Sequence, residues 1–378
     1  MAIPNIGDLE GEYLAECVRT NFVSTVGPFV SRFEAEVADM HGSEMGVATS
    51  AGTTSLHVGL VALGVKPGDI VICPSFTFIA TANAIRHQHA DAWLMDINSE
   101  TWTIDPDKMD EALKRETSRI DGELIHTKSG KRVAAIVPVY TLGNLAEMDH
   151  INQIAKDFKL PILADAAAAI GVNYKGRNLS DIADLTSFSF NGNKTITSGG
   201  GGMLIGRNLD ALKRAKHLST TARTSPNYDY DEVGFNYRMT NIQAAVGCAQ
   251  LKRLSGFLER KRHVRRVYNK AFSGFDGVSI FPNHDINNSA CWFSGLILDQ
   301  VKTPTVQDVC VQLKGHKIEA RPFWKPVHVQ PQYLQSFCED MSETNSIWDK
   351  IITLPSSTNI TDQELDVVVT TLSKILKS

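Results

Sequence analysis

Leu160-Pro-Ile-Leu-Ala-Asp165-Ala-Ala-Ala-Ala-Ile-Gly171 places one carboxylate directly behind a short apolar run. Open α/β sheets bind their ligands outside the carboxyl ends of the strands, so an acid in that position points to a sheet of this kind. Two further apolar runs share the pattern: Ile70 to Cys73, introduced by Gly68-Asp69, and Val133 to Pro138. Helical periodicity separates them at Leu56, Leu60 and Leu63 and again from Leu145 to Phe158, so the runs read as buried parallel strands. The polar stretch from Lys114 to Arg132, punctuated by Asp121-Gly122 and Ser129-Gly130, reads as a surface excursion from the first domain. No repeat of about 20 to 50 residues is visible, which excludes solenoids and propellers. From about Gln250 the character changes. A long basic amphipathic helix, Leu251 to Tyr268, is expected to present a solvated face where two domains join.

At 378 residues the chain has room for about two domains, taking roughly 150 residues for each. Its 43% hydrophobic and 21% charged residues are those of an ordinary globular protein. Thirty-eight basic and 42 acidic side chains leave a net charge of -4, so neither nucleic acid nor an anionic membrane is an expected partner. The six cysteines form no CxxC pair and no HExxH stretch occurs, so neither a disulfide framework nor a metal site is expected. The first residues lack the pattern of a signal peptide, and no run of about 18 apolar residues occurs. The expectation is a cytoplasmic protein with no membrane segment.

Chemistry concentrates in Ser187-Phe-Ser-Phe-Asn-Gly-Asn-Lys194-Thr-Ile-Thr-Ser-Gly-Gly-Gly-Gly-Met203. A strand runs into a polar turn that bears one lysine, and four glycines follow, which let the backbone approach a ligand closely. It is not a Walker loop, because the lysine precedes the glycines and no G-K-[ST] closes them. A lone lysine beside glycines is ordinarily an exposed loop residue. A lysine at the end of a buried strand can instead be a nucleophile that forms a Schiff base. Asp165 alone could equally cap a helix. Thr49-Ser-Ala-Gly-Thr-Thr-Ser-Leu-His57 sets small hydroxyl residues and Gly52 at a helix start, which serves either as plain capping or as an anion cradle. Taken together, the three features propose one ligand with an anion at Gly52, a ring cation at Asp165 and a carbonyl at Lys194. Pyridoxal phosphate has all three handles.

The motifs resemble, in order, those of the DegT/DnrJ/EryC family of pyridoxal-phosphate-dependent sugar aminotransferases. The match runs from Asn21-Phe-Val-Ser-Thr-Val-Gly27 through Pro74-Ser-Phe-Thr-Phe-Ile-Ala80, then Asp165 and Lys194. It continues with Gly234-Phe-Asn-Tyr-Arg-Met-Thr-Asn-Ile242 and Arg321-Pro-Phe-Trp-Lys-Pro-Val-His328. The resemblance implies an α/β protein of the fold type I, aspartate-aminotransferase-like group. Residues 1–250, with an N-terminal arm, would form the large domain with a mixed, mostly parallel sheet, and residues 251–378 a small C-terminal α+β domain. Details of the lysine and glycine stretch are most similar to aminotransferases of the bacillosamine and legionaminic acid pathways. Perosamine synthases usually carry Gly-Glu-Gly-Gly where this chain has Gly199 to Gly202.

Carried over by position, the resemblance makes Lys194 the catalytic lysine and Asp165 the partner of the pyridinium nitrogen. Phe78 would stack on the ring, and Gly52, Thr53 and Ser189 would hold the phosphate. Asn236 would reach the phosphate of a neighbouring subunit, implying a homodimer with shared active sites. Arg321, His328 and Arg238 would contact the nucleotide sugar. The expected reaction moves an amino group from L-glutamate to C4 of a nucleotide-linked 4-keto-6-deoxy sugar, with a UDP-linked acceptor favoured. The alternatives are a GDP-perosamine synthase-like aminotransferase and a regulatory relative that binds pyridoxal phosphate without turnover. One departure stands out: Ala168 occupies the place where the family has Gln or Glu against the cofactor's phenolic oxygen.

Overall fold

A computed structural model describes residues 2–282 and 285–377 of the chain. The three apolar runs form the strands Ile70–Pro74, Lys131–Ile136 and Leu163–Asp165. Ile70–Pro74 pairs in parallel with Asp91–Met95 on one side and with Lys131–Ile136 on the other. Leu163–Asp165 pairs in parallel with Leu185–Ser189, which runs antiparallel to Gly202–Ile205, and that strand to Val47–Thr49. Parallel bridges Ile136 to Ile162 and Val139 to Asp165 join the two groups into one mixed sheet. Side chains alternate between its faces: Ile70 and Ile72 enter one apolar layer, Val71 and Cys73 the other. Burial on both faces explains why these strands read as unbroken apolar runs.

The excursion from Lys114 is a hairpin of Thr117–Ile120 and Glu123–His126. Its turn residues Asp121 and Gly122 take φ of 51° and 86°, the two positive angles that a two-residue hairpin turn requires.

The second sheet joins Val278–Ile280, Ser294–Leu298, Ile351–Leu354 and Arg321–Pro322, all antiparallel. Apolar faces of the helices Leu254–Phe272, Val306–Gly315 and Asp362–Ile375 close its core.

Two expectations change in detail. The basic helix spans Leu254–Phe272 rather than starting at Leu251, because the preceding helix Asn241–Leu251 packs against Asp8–Arg19 and Pro28–Met40 and ends there. Its basic face is not wholly solvated either. Lys261 and Arg265 are buried; Lys261 Nζ donates to the carbonyls of Trp292 at 2.8 Å and Ser356 at 2.6 Å, and Arg265 Nε to Ser294 Oγ at 3.1 Å. Buried cations need such acceptors, and residue patterning records polarity but not which carbonyls await it.

The packing crosses residue 250 in both directions. Beyond Arg321–Pro322 the chain returns to the large sheet, where Phe337–Cys338 pairs in parallel with Trp93 and Leu94. Nearby, the buried Asp96 accepts from the backbone N–H groups of Glu343 and Thr344, both at 2.9 Å. Among the described residues, no helix is long and apolar enough to cross a membrane.

Candidate active site

A cavity of about 480 Å³ lies between the carboxyl ends of the large-sheet strands and the small sheet. Gly52, Thr53, Phe78, Asp165, Ser189, Lys194 and Arg321 all line it.

Asp165 ends its strand inside this cavity. Its Oδ2 accepts from Thr81 Oγ1 at 2.7 Å and its Oδ1 from the Ala167 N–H at 3.1 Å. Burial pushes the carboxyl above its ordinary range, while the two hydrogen bonds and the nearby Lys194 amine pull the other way. A carboxylate so placed stays charged most readily when a cation faces it. Thr81 lies in the first turn of the helix Ala80–His87, behind Phe78 at the cavity wall.

Lys194 sits in the turn that follows Leu185–Ser189, its N–H bonded to the Asn191 carbonyl at 3.0 Å. The residue keeps some solvent contact through the cavity, yet its amine is deep enough that burial lowers it to about 8, against the opposing pull of Asp165. Such an amine is neutral often enough near physiological pH to attack a carbonyl. Nζ stands 3.6 Å from the ring centre of Trp292, which leads into the small-sheet strand Ser294–Leu298.

The glycines serve close approach. A Cβ on Gly202 would stand 2.5 Å from the Ala51 carbonyl oxygen, and one on Gly52 would stand 2.8 Å from Ser189 Cβ. The strand end, the Ser189 hydroxyl and the start of the helix Gly52–Ala62 are thereby packed side by side. The first N–H groups of a helix have no intrahelical acceptor and its dipole favours an anion. A buried carboxylate, an amine of lowered basicity and a helix start flanked by the Thr53 and Ser189 hydroxyls form a donor set that fits pyridoxal phosphate. Each handle of that group meets a complementary residue within one cavity.

Three sequence-predicted residues do not line it. Asn236 is exposed, in a segment bridged to Thr220, and the half-buried Arg238 is bridged to Thr49. His328 has both ring nitrogens engaged, Nδ1 with Ser75 Oγ at 2.7 Å and Nε2 with Asn345 Oδ1 at 3.1 Å. Arg321 does reach the cavity and holds Glu319 Oε1 with its Nε at 3.1 Å. Ala168 lines the cavity beside Leu142, whose φ of 60° is unusual for a residue other than glycine.

Several further residues line the cavity without a motif to mark them. Thr81 directly follows the run Pro74 to Ala80, so a hydroxyl at that helix start is a usable signal. Trp292, Phe293 and Trp324 form an aromatic wall, with Trp292 and Phe293 stacked at 4.0 Å and Trp324 at 5.7 Å from both Trp292 and Phe78. No local pattern near Lys194 announces them. On the surface, the exposed Asp231 and Glu232 and the partly exposed His217 bring ligand atoms within 4.8 Å of one another, outside the cavity lining.

The sequence model of the DegT/DnrJ/EryC1/StrS aminotransferase family matches residues 4–373. The chain is 34% identical to EpsN of Bacillus subtilis, provisionally described as a pyridoxal phosphate-dependent aminotransferase, over 98% of this chain and 93% of that protein. It is 33% identical to GDP-perosamine synthase of Caulobacter vibrioides, over 100% of this chain and 98% of that one. Among solved structures, a DegT DnrJ EryC1 StrS aminotransferase from Brucella abortus matches the fold with a TM-score of 0.88 at 23% identity, covering 98% of this chain and 96% of that one. The architecture is that of the fold type I enzymes, as the motifs imply. The chain therefore belongs to the DegT/DnrJ/EryC1/StrS aminotransferase family and is a pyridoxal-phosphate-dependent sugar aminotransferase.

Proposed function

We propose that the protein transfers an amino group from L-glutamate to C4 of a nucleotide-linked 4-keto-6-deoxy sugar. The favoured acceptor is UDP-2-acetamido-4-keto-2,4,6-trideoxyhexose, destined for a surface glycan. The observation that carries aminotransfer is the meeting of Lys194 and Asp165 in one cavity, with the helix start at Gly52 forming part of its wall. When bound, pyridoxal phosphate supplies an electron sink. Asp165 holds the proton on the ring nitrogen. Lys194 Nζ takes the proton from Cα of the amino donor and delivers one at C4 of the sugar. Phe78 covers the ring face, and the Gly52 N–H, Thr53 and Ser189 hold the phosphate.

The working unit in this reading is a homodimer in the cytoplasm, with the exposed Asn236 of each protomer completing the phosphate site of the other. Arg321 offers a guanidinium fork to the substrate's pyrophosphate, with Arg238 as a further contact. His328 acts here through its hydrogen bonds to Ser75 and Asn345, which steady the segment that follows Arg321.

Holoenzyme mixed with L-glutamate should release 2-oxoglutarate as its visible absorbance converts to that of the pyridoxamine form. A panel of nucleotide keto-sugars should then restore the absorbance, fastest with the UDP-linked acceptor. Lys194→Ala should lose the visible band and at least about 10³-fold of sugar amination; a variant as active as wild type would sink the mechanism. Absence of a half-reaction with any amino donor would favour a binding protein without turnover. A GDP-linked acceptor is the second reading, favoured by the 33% identity to GDP-perosamine synthase. The run Gly199 to Gly202 favours the first, and the same panel separates the two.

A further inference from the structure

Trp292 is fixed on three sides. Its N–H donates to the Leu142 carbonyl at 3.0 Å, its carbonyl accepts from Lys261 Nζ at 2.8 Å, and its indole Nε1 donates to the Asn193 carbonyl at 2.7 Å. Phe293 stacks on the ring at 4.0 Å, and the residue is only 2% exposed. An indole pinned in this way cannot turn aside from what lies on its face. What lies there is the Lys194 amine, 3.6 Å from the ring centre. Among the described residues that amine makes no hydrogen bond or ion pair, and Asp165, at the end of Leu163–Asp165, is the charged group whose field reaches it.

We propose that the indole face of Trp292 is a dock for the Lys194 ammonium: a positioning element that holds Nζ in the cavity whenever the amine is not covalently engaged. The proposal rests on the reading of Lys194 as the catalytic lysine. The negative face of an indole attracts a cation more strongly than any other aromatic side chain does, and most strongly where water is excluded. A freed lysine side chain has four rotatable bonds with which to leave the cavity, and the indole favours the conformers that keep the nitrogen in place. The bond to Asn193 adds register, because Asn193 is the residue immediately before Lys194. The same indole thus grips both the backbone of the lysine turn and the tip of its side chain. Because Trp292 precedes the small-sheet strand Ser294–Leu298, the position of the small domain sets the position of the amine.

The test keeps the shape of the indole and changes only its charge distribution. Tryptophans with progressively more ring fluorine are installed at position 292 of the full-length protein. Each cofactor-free protein is then treated with a small amine-reactive reagent across pH, and modification of Lys194 is followed by peptide mass spectrometry. The reagent reacts with the neutral amine, so the midpoint of the profile reports the ammonium's own equilibrium. Withdrawing charge from the ring face should lower the midpoint step by step, by about half to one pH unit over the series. A midpoint that stays flat or rises through the series overturns the dock. That result leaves the role of Lys194 untouched, because the role fails on a separate observation, an active Lys194→Ala enzyme.

Discussion

Thr81 donates its hydroxyl to Asp165 Oδ2 across 2.7 Å, and both side chains are almost entirely removed from solvent. The bond offsets part of the burial that pushes the Asp165 carboxyl upward. Thr81→Val keeps the shape, removes the donor and leaves the carboxylate less able to hold its charge opposite a pyridinium. A hydrogen bond to a charged group is worth roughly 1.5 to 3 kcal/mol, so retention of pyridoxal phosphate should weaken by roughly ten- to a hundredfold. Equilibrium dialysis of the variant measures this directly, and an unchanged affinity would show that Thr81 is incidental to Asp165.

Gly52→Ala should disturb the contact between the helix start and Ser189. The helix tolerates alanine well. The new Cβ, however, would stand 2.8 Å from Ser189 Cβ and 3.0 Å from its Oγ, so the hydroxyl proposed to hold the phosphate must move. Thermal stability is expected to fall by about 1 to 3 kcal/mol, because Ser189 Cβ moves only with its strand, and pyridoxal phosphate affinity by at least roughly tenfold. Adding Ser189→Gly frees the space, and the double variant should lose less than the sum of the two single losses. Strict additivity in a fluorescence titration would count against the shared contact.

Burial lowers the Lys194 amine to about 8, so its neutral form grows as pH rises and is nearly complete above that value. Capture of pyridoxal phosphate by the cofactor-free protein should accelerate roughly tenfold per pH unit on the acid side and level off beyond the midpoint. Asp165→Asn removes the field that supports the ammonium, so the plateau should begin at lower pH. Stopped-flow absorbance gives both curves. A rate that climbs without a break toward the range of an exposed lysine, near 10.4, would mean that the amine is not buried as described.

Much of this was legible because it is local. Ile70 to Cys73 and Leu160 to Ala164 lie in a sheet buried on both faces, so composition alone marks them. Asp165 ends a strand, Lys194 sits in the turn that follows one and Gly52 starts a helix, places where position already implies access to a ligand. What escaped notice depends on partners distant in sequence. Trp292 meets Lys194 across 98 positions, and neither stretch carries a mark of the other. Lys261 looked like part of a solvated face because patterning counts charges and cannot see the carbonyls of Trp292 and Ser356 that absorb them. Phe337–Cys338 is too short to register as a strand and gains meaning only from the edge it joins.

That two-residue strand gives the chain beyond residue 250 a second hold on the large sheet. The first hold is the junction at Lys252 and Arg253, and the second is Phe337–Cys338 together with the clasp of Asp96 on Glu343 and Thr344. The stretch between these two anchors carries Trp292 and Arg321 into the cavity wall, and it is held to the large sheet at both its ends rather than at one.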